Sequence, residues 1–397
     1  MSAPASAELR QLGVEALWRQ GLSGQGVGVG HLDSGVAPHP ALHGRITRFL
    51  HINENGRAQP NTPPFDSGKH GTHTAGLICG GAAEGTAVGV APQANLYSAA
   101  VIDGGHTILR ILRGLCWLAE QPVRVTNLPL GIPAHHPVFR EAIAALRQRG
   151  ILPIAAIGNR GAGRFHSPGG YDNVLSVGAT NGSGQVASFC GSRNTPQTLI
   201  ALKPDVLAPG RSIRSLHPNG RTQSLTGTSM SSATVAGIAA LLFEACPAAS
   251  VRQVEMALIN ATQPVETAVP HRSRAGLVNA PAALAYLQAG YAPDEPPQEI
   301  EDGRFNGRFL DPHLRHQFFY KGETAVLPAI IGVSGAFGEI AAAISTQVGE
   351  APAASETLPP TSLTLVHASV RWLQTLLTHP AVTLASAVDV DLTAVLF

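Results

Sequence analysis

The feature that most constrains this chain is a stretch of small residues, 220–237, that leads directly into an apolar run. A short strand pattern at 223–225, a turn at Gly227 and a helix of small residues from Met230 onward are expected to hold the hydroxyl of Ser229 at a helix N-terminus. The backbone dipoles favour negative charge at that position. Because a serine hydroxyl is a weak nucleophile, this arrangement requires a nearby base and a third group that orients the base.

Two segments upstream offer those partners. Residues 26–35 predict a buried strand that ends in the carboxylate of Asp33, and open α/β sheets place their sites at the carboxyl ends of strands. Residues 70–76 predict a loop entering a helix of small residues, which can hold the imidazole of His70 close to the sheet edge. Asp33, His70 and Ser229 are therefore the candidate orienting group, base and nucleophile.

Three motifs carry these residues in the order aspartate, histidine, serine: Asp33-Ser34-Gly35, His70-Gly71-Thr72-His73 and Gly227-Thr228-Ser229-Met230. Taken alone, each has an ordinary explanation as a turn, a surface or core histidine, or a loop. Together and in this order they resemble the signatures of the subtilisin-like serine proteases. The resemblance covers about residues 12–288 and implies a three-layer α/β fold, with a mostly parallel central sheet and helices on both faces. It also implies a serine endopeptidase that works through an acyl-enzyme.

The order of apolar segments independently indicates such a sheet. Strand-like runs at 94–101, 123–130 and 151–157 alternate with helical patterns at 107–120 and 139–149. The first of these helices has an apolar face at helical spacing. Strands alternating with helices favour a parallel sheet that is covered on both faces.

The resemblance extends to further site residues. Asn159 follows the strand-like run at 151–157 and is implied to donate its side-chain amide to an oxyanion, together with the backbone amide of Ser229. The implied substrate-binding residues are Leu130, Gly131, Ala156, Gly158, Arg160 and His166.

The substrate pocket departs from the family's pattern. Pro129 stands before Leu130 and Gly131 where the family usually has serine, which removes one backbone donor from an edge that pairs with extended peptide. Past Asn159 the loop is short and carries two arginines and a histidine. We expect Arg160, Arg164 or His166 to bias the pocket toward a polar or acidic residue, with a solvated loop as the alternative.

Composition limits the partners and the compartment. The chain has 397 residues, of which 44% are hydrophobic and 13% charged, which describes a well-buried globular protein with one large domain and a smaller one. A formal net charge of +1 gives no electrostatic reason to expect binding to nucleic acid or to a membrane surface. The N-terminal residues show no secretory signal, the family's propeptide is not visible, and we expect a cytoplasmic protein.

No cofactor or metal is expected. The four cysteines, Cys79, Cys116, Cys190 and Cys246, lack metal-ligand spacing and are predicted to be free thiols. The calcium site common in secreted members of the family needs about six to eight oxygen ligands. Glu84 is the single carboxylate in the corresponding loop, so we expect no structural calcium there.

The composition changes after residue 290. We divide the chain into a protease domain (1–290), an acidic proline-rich linker (291–312) and a C-terminal domain (313–397) for recognition, dimerisation or capping. The last part predicts a strand at 317–320, a second break at 349–362 that is rich in proline and alanine, and one or two strands within 382–397. It also predicts an amphipathic helix at 363–378, whose apolar side carries Val366, Val370, Leu373 and Leu377.

Three functions remain open from the sequence. The first is a serine endopeptidase that processes a specific peptide or protein in the cytoplasm. The second is a maturation protease for a ribosomally made peptide, which removes a leader or closes a macrocycle, with the C-terminal domain as a leader-peptide or homodimer contact. The third is a catalytically silent module that only binds peptides. The motifs do not separate hydrolysis from transpeptidation.

Overall fold

The computed structural model describes residues 3–133, 135–193, 202–265, 275–290, 309–310, 323–377, 379 and 381–388. The strands are β1 (Gly28–Asp33), β2 (Ile46–Ile52), β3 (Ala58–Gln59), β4 (Ala82–Ala83), β5 (Thr86–Ala87), β6 (Asn95–Ala100), β7 (Val125–Leu128), β8 (Ile132–Pro133), β9 (Leu152–Ala156), β10 (His166–Ser167), β11 (Leu175–Thr180), β12 (Val206–Pro209), β13 (Ile213–Leu216), β14 (Thr222–Leu225), β15 (Gly276–Leu277), β16 (Phe309–Leu310), β17 (Val326–Val333), β18 (Ala354–Thr357), β19 (Thr364–Ser369) and β20 (Val382–Ala387). The α-helices are α1 (Ala7–Gln11), α2 (Val14–Trp18), α3 (His70–Cys79), α4 (Thr107–Ala119), α5 (Arg140–Gln148), α6 (Thr228–Ala245), α7 (Val251–Asn260), α8 (Ala280–Gln288), α9 (Phe337–Val348) and α10 (Val370–Leu376).

A nine-stranded sheet forms the centre of the protease domain. Its strand order is β15-β12-β11-β9-β7-β1-β6-β2-β3, and all neighbours are parallel except the β2–β3 hairpin at one edge. The predicted alternation of strands and helices is therefore confirmed. Because β1 lies in the middle of the sheet, Asp33 at its carboxyl end faces the centre of that edge.

Helices cover both faces of this sheet, as predicted. One hydrophobic core packs α3, α6 and α8 against side chains such as Val29, Leu96 and Ile154. The other packs α4 and α5 against alternate residues of the same strands, such as Leu32 and Ala99. The result is the mostly parallel, three-layer α/β fold that the motifs imply.

Helix α6 is the central helix of the first layer. It is 18 residues long, and among the described residues it is the one helix with the length and composition to cross a bilayer, yet 89% of it is buried inside the protein. A helix that is apolar on all sides is typical of the core of a large domain. Its burial fixes the position of Ser229 near its start.

The C-terminal unit, residues 323–388 together with strand β16, is an α+β structure. Its sheet has the order β16-β20-β17-β19-β18, and α9 and α10 pack on one face around Trp372. Strand β16 lies within the predicted linker, whereas residues 291–308 and the predicted strand at 317–320 lie outside the described residues. The predicted strand at 382–397 is confirmed for β20.

Two predictions in this unit were wrong. The predicted helix at 363–378 is a strand, β19, followed by the short helix α10, and the predicted break at 349–362 contains the strand β18. The reason is that β19 is buried on both faces, with Leu365 in the core shared with the protease domain and Val366 in the core of the C-terminal unit. A short strand that is apolar on both faces cannot be separated from a helix by periodicity.

The second face of the C-terminal sheet packs on the layer formed by α4 and α5. Ile330, Leu363 and Leu365 belong to the same apolar core as those helices. The carboxylate of Glu141 accepts hydrogen bonds from the backbone N–H and the hydroxyl of Ser362, at 2.8 and 2.6 Å. The C-terminal unit therefore packs on the protease domain through an apolar interface that has polar contacts at its edge.

Candidate active site

Asp33 is completely buried at the carboxyl end of β1. Its Oδ1 atom accepts hydrogen bonds from the backbone N–H of Ser34, at 2.7 Å, and from Nδ1 of His70, at 2.8 Å. Its Oδ2 atom accepts from the hydroxyl of Thr74, at 2.8 Å. The carboxylate is thus held in one orientation by donors from its own strand and from α3.

This environment keeps Asp33 ionised. Burial alone raises the pKa of its carboxyl, because it disfavours the charged form. The charge of His70, its hydrogen bond and the nearby imidazole of His31 outweigh burial and hold the pKa of Asp33 well below its usual range. An ionised carboxylate on Nδ1 fixes the tautomer of His70, so that Nε2 carries the lone pair on the opposite side of the ring.

His70 is the first residue of α3, and Ser229 is the second residue of α6. The two helices run side by side: a Cβ atom added at Gly237 of α6 would lie 3.2 Å from the carbonyl oxygen of Ile78 in α3. Eight residues earlier in each helix stand Ser229 and His70, at the same edge of the sheet as Asp33. The hydrogen bond of His70 to Asp33, and that of Ser229 to the carbonyl of Pro129 just past β7, place all three predicted residues at this edge.

Ser229 is buried, and its hydroxyl donates a hydrogen bond to the carbonyl oxygen of Pro129 at 2.9 Å. Helix α6 begins at Thr228, two residues earlier than predicted, so the backbone N–H of Ser229 belongs to its first turn. The backbone N–H groups in the first turn of a helix point toward its N-terminus and carry the positive end of the helix dipole. They are suited to stabilise a negative oxygen near Ser229.

Asn159 lies just past β9 and is oriented by Thr228. Its Oδ1 atom accepts hydrogen bonds from both the backbone N–H and the hydroxyl of Thr228, each at 3.0 Å. Because Oδ1 is held by these two donors, the amide Nδ2 points the other way as a donor. Thr228 in turn accepts from the backbone N–H of Gly158, at 3.2 Å.

The predicted substrate-binding residues lie on two neighbouring segments beyond the sheet edge. Leu130 and Gly131 follow β7, and Ala156 and Gly158 follow or end β9. The segments are tied together by the antiparallel pair β8–β10, in which His166 lies opposite Pro133. Arg160 is exposed on the loop between β9 and β10.

His166 packs directly against the backbone of Gly158. Gly158 has φ +108°, and a Cβ atom at that position would lie 2.0 Å from Nδ1 of His166, so only glycine fits. Burial and the positive charge of Arg160 lower the pKa of His166 to about 4. His166 is therefore a neutral imidazole at pH 7.

The histidine that follows His70 in its motif has a structural role. His73 is buried in α3, and its Nε2 donates a hydrogen bond to the carbonyl oxygen of Ile213 at 3.0 Å. Burial, followed by the charge of His70, lowers the pKa of His73 to about 4. His73 is therefore uncharged, connects α3 to β13 through this hydrogen bond, and lies outside the candidate triad.

Sequence reasoning missed four participants in the site: His31, Thr74, Thr228 and the carbonyl of Pro129. Thr228 and Pro129 adjoin residues that were identified, but their contacts depend on how β7, β9 and α6 meet in space. His31 did leave a signal, because it is an imidazole in an otherwise apolar strand, two residues before Asp33. A buried titratable residue on the same face as a catalytic candidate indicates a partner nearby.

No group of three histidine, cysteine, aspartate or glutamate residues in the described part of the chain is arranged to hold a metal ion. The carboxylate of Glu84 forms an ion pair with Arg214 and accepts a hydrogen bond from the hydroxyl of Thr222, at 2.9 Å. All four cysteines are free thiols, as predicted. Burial raises the pKa of Cys79 to about 12, which makes its thiol unreactive.

Comparison with known proteins finds relatives over most of the protease domain. Residues 24–280 match the model of the subtilase family, peptidase family S8. The chain is 35% identical over 271 residues to Subtilisin Savinase of Lederbergia lenta, a match that covers 68% of this chain and 94% of that protein. It is 33% identical to the serine protease AprX of Bacillus subtilis, over 66% of each chain.

A solved structure extends the likeness to the fold. The prenylagaramide maturation protease PagA superposes with a TM-score of 0.58 at 25% identity, over 69% of this chain and 98% of that one. The family match covers well over half of the chain and includes all three motifs from which the site was built. This chain belongs to the subtilase family, the subtilisin-like serine proteases.

Proposed function

We propose that this protein is a serine endopeptidase that cleaves peptide bonds with Asp33, His70 and Ser229 as its catalytic triad. Ser229 Oγ attacks the scissile carbonyl while Nε2 of His70 takes its proton. His70 then gives that proton to the leaving amine as the C–N bond breaks and the acyl-enzyme remains on Ser229. The observation that carries this proposal is the hydrogen bond between His70 Nδ1 and the buried, ionised carboxylate of Asp33.

The oxyanion of each tetrahedral intermediate is stabilised by Nδ2 of Asn159 and by the backbone N–H of Ser229. What supports this assignment is that Thr228 occupies the other end of the Asn159 amide. Donors that are oriented before the reaction stabilise developing charge without reorganisation. Water then attacks the acyl-enzyme with His70 as base, and the carboxylic acid product leaves as the proton returns to Ser229.

The proposal is tested by incubating a diverse peptide library with the full-length protein and with Ser229→Ala, and reading cleavage by mass spectrometry. We expect cleavage by the wild type alone, with a defined preference at the residue before the cleaved bond. Cleavage that persists in Ser229→Ala would assign the activity to another residue or to a contaminant. The third hypothesis, a silent binding module, predicts no cleavage and no reaction of Ser229 with a fluorophosphonate.

A specific observation favours maturation of a ribosomally made peptide as the second candidate function. The structural neighbour PagA is named a maturation protease, and the match covers nearly all of that protein. In such a role a peptide amine in place of water can resolve the acyl-enzyme and form a new peptide bond. Supplying a small amine such as glycinamide with a cleavable peptide separates the two outcomes, because transpeptidation adds the amine to the new C-terminus.

We propose that the substrate pocket prefers a polar residue before the cleaved bond. The support is the neutral imidazole of His166 against Gly158, beside the exposed charge of Arg160. A neutral imidazole favours groups that exchange hydrogen bonds, and Arg160 adds a bias toward acidic side chains. His166→Ser should broaden the library preference, and Arg160→Gln should selectively weaken cleavage after acidic residues.

The C-terminal unit is proposed to support substrate recognition beside the cleft. Its support is that the carbonyl oxygen of Val388 accepts hydrogen bonds from the first turn of α4, at 3.0 Å from Ile108 and 3.3 Å from Leu109. Helix α4 follows β6, which neighbours the strand of Asp33. A homodimer contact, a leader-peptide contact and a cytoplasmic location stay predictions. Light scattering with the purified protein tests the homodimer, and cell fractionation tests the location.

A further inference from the structure

The buried imidazole of His31 lies on β1, directly behind the carboxylate of Asp33. His31 is completely buried, as are its two partners, Ser98 on β6 and Thr74 on α3. Nδ1 of His31 lies 2.9 Å from the hydroxyl of Ser98, and Nε2 lies 2.9 Å from the hydroxyl of Thr74. Nε2 is also 3.5 Å from Oδ2 of Asp33.

The direction of these hydrogen bonds follows from the number of protons that each group can donate. The hydroxyl of Thr74 has one proton, and its nearest acceptor is the charged Oδ2 of Asp33, at 2.8 Å, ahead of the carbonyls of His70 and Gly71 at 3.2 Å. A hydrogen bond to a charged acceptor is the stronger one, so the proton goes to Asp33. The oxygen of Thr74 is then left to accept, and Nε2 of His31 must carry the hydrogen that it accepts.

The other side of the His31 ring agrees with this direction. With the proton on Nε2, the neutral ring has a lone pair on Nδ1, and the hydroxyl of Ser98 donates to it. Every polar atom in the chain from Ser98 through His31 and Thr74 to Asp33 then has a partner. A fully satisfied buried network of this kind holds its members in one arrangement.

We infer that His31 is a positioning residue for catalysis, which acts through Thr74 to orient the carboxylate of Asp33. If His31 did not donate to its oxygen, Thr74 could turn its proton toward the carbonyl of His70 or Gly71, within its own helix. Asp33 Oδ2 would lose that donor, and with it one of the contacts that fix the rotation of the carboxylate. This inference rests on the proposed function, because it assigns a role within the same triad.

The pH dependence of the reaction should report this network. The ionisable groups near Asp33 are His31 on its own strand, His70 and His73 on α3, and Asp66, which accepts a hydrogen bond from Ser34 at 2.8 Å. A carboxylate that has lost a donor is more basic and holds the proton of His70 more tightly. Loss of the Thr74 donor should therefore move the acid limb of the activity profile to higher pH.

The test uses the full-length protein and compares Thr74→Val and His31→Val with the rescue variants Thr74→Ser and His31→Gln. Thr126→Val is the matched control, because Thr126 is equally buried on the neighbouring strand β7 and its hydroxyl has no hydrogen-bond partner among the described residues. Activity is expressed per active site titrated with a fluorophosphonate. The low-field proton resonance of His70 Nδ1–H is recorded as a readout that does not depend on turnover.

We expect both valine variants to lose about tenfold in kcat with little change in KM, and the double variant to lose no more than either one. The acid limb should move up in pH and the Nδ1–H resonance should shift, whereas the serine and glutamine variants recover most of the rate. Thr126→Val should behave as wild type. Unchanged pH profiles and resonances in the two valine variants, or equal losses in His31→Val and His31→Gln, would overturn the inference.

The two proposals fail in different ways. If Ser229 does not react with the fluorophosphonate in the wild type, the proposed function is wrong. The resonance of the His70–Asp33 hydrogen bond still responds to His31→Val if the positioning role of His31 is right, and it stays unchanged in that variant if the role is wrong.

Discussion

The protease domain and the C-terminal unit are both sheets covered by helices, yet they bury different chemistry. The protease domain buries ionisable side chains at one edge of its sheet, including His31, Asp33 and His73. In the described part of residues 323–388, the buried polar side chains are hydroxyls alone, those of Thr361, Thr364, Ser369 and Ser386. Burying an ionisable side chain costs folding free energy, and such side chains are concentrated at functional sites. This difference supports placing the proposed catalysis in the first unit.

The largest expected effect is on the chemistry of the protease domain. Asp33→Asn leaves the shape of the site intact but removes the charge that fixes the tautomer of His70. We expect kcat to fall by about 10⁴-fold, with circular dichroism unchanged. A loss of less than tenfold, measured per folded molecule on a cleavable peptide, would contradict the assignment of Asp33.

The corresponding change in the C-terminal unit should act on stability instead. Trp372 is completely buried, and Trp372→Ala leaves a cavity in an apolar core, which costs about 3 to 5 kcal/mol. Urea unfolding should reveal this loss as a destabilised transition of that unit. The rate of fluorophosphonate labelling at low temperature should stay as in the wild type. Loss of labelling in Trp372→Ala would contradict this comparison, because it would show that the active site depends on the C-terminal unit.

Asn159→Ala tests whether the oxyanion donor is as specific as its geometry indicates. We expect a loss of about 10²- to 10³-fold in kcat with KM nearly unchanged, because the donor acts on the transition state. The matched control is Asn181→Ala, since Asn181 also follows a strand of the sheet but its side chain closes a turn by accepting from Ser183 and Gln185. Equal effects in the two variants would reject the oxyanion role.

A smaller effect should appear in the pH dependence of stability. His73 and His166 have a folded pKa of about 4 against an ordinary value of 6.5, so the unfolded chain binds more protons between these values. Stability should therefore fall as the pH drops from 6.5 toward 4, by up to about 1.4 kcal/mol per pH unit for each group. Urea unfolding at several pH values should show this slope, and His166→Gln should reduce it; an unchanged slope in the variant would contradict the assigned burial of His166.

The sequence was sufficient for the parts of the site that lie within single motifs. Asp33 at a strand end and Ser229 at a helix start were predictable because a strand, a turn and a helix follow one another along the chain. The same holds for Asn159, which comes directly after an apolar strand. In each case the local pattern and the global fold agree, which makes such elements readable from sequence.

What could not be predicted depends on packing between distant segments. The contact of His31 with Thr74 joins residues 43 positions apart and exists because α3 lies across β1. A solvated loop was one prediction for the segment that carries His166, but the ring is covered because Gly158 leaves room for it. Strand β19 was missed because the protease domain covers its second face, which sequence periodicity does not show.

The central claim, that Ser229 is a nucleophile activated by His70 and Asp33, is tested most directly by fluorophosphonate labelling of the full-length protein followed by peptide mapping. The account predicts a single modified residue, Ser229, in the wild type, and a labelling rate that falls by orders of magnitude in Asp33→Asn and in His70→Gln. Labelling of a different residue, or labelling of Ser229 at the same rate in all three proteins, would contradict it.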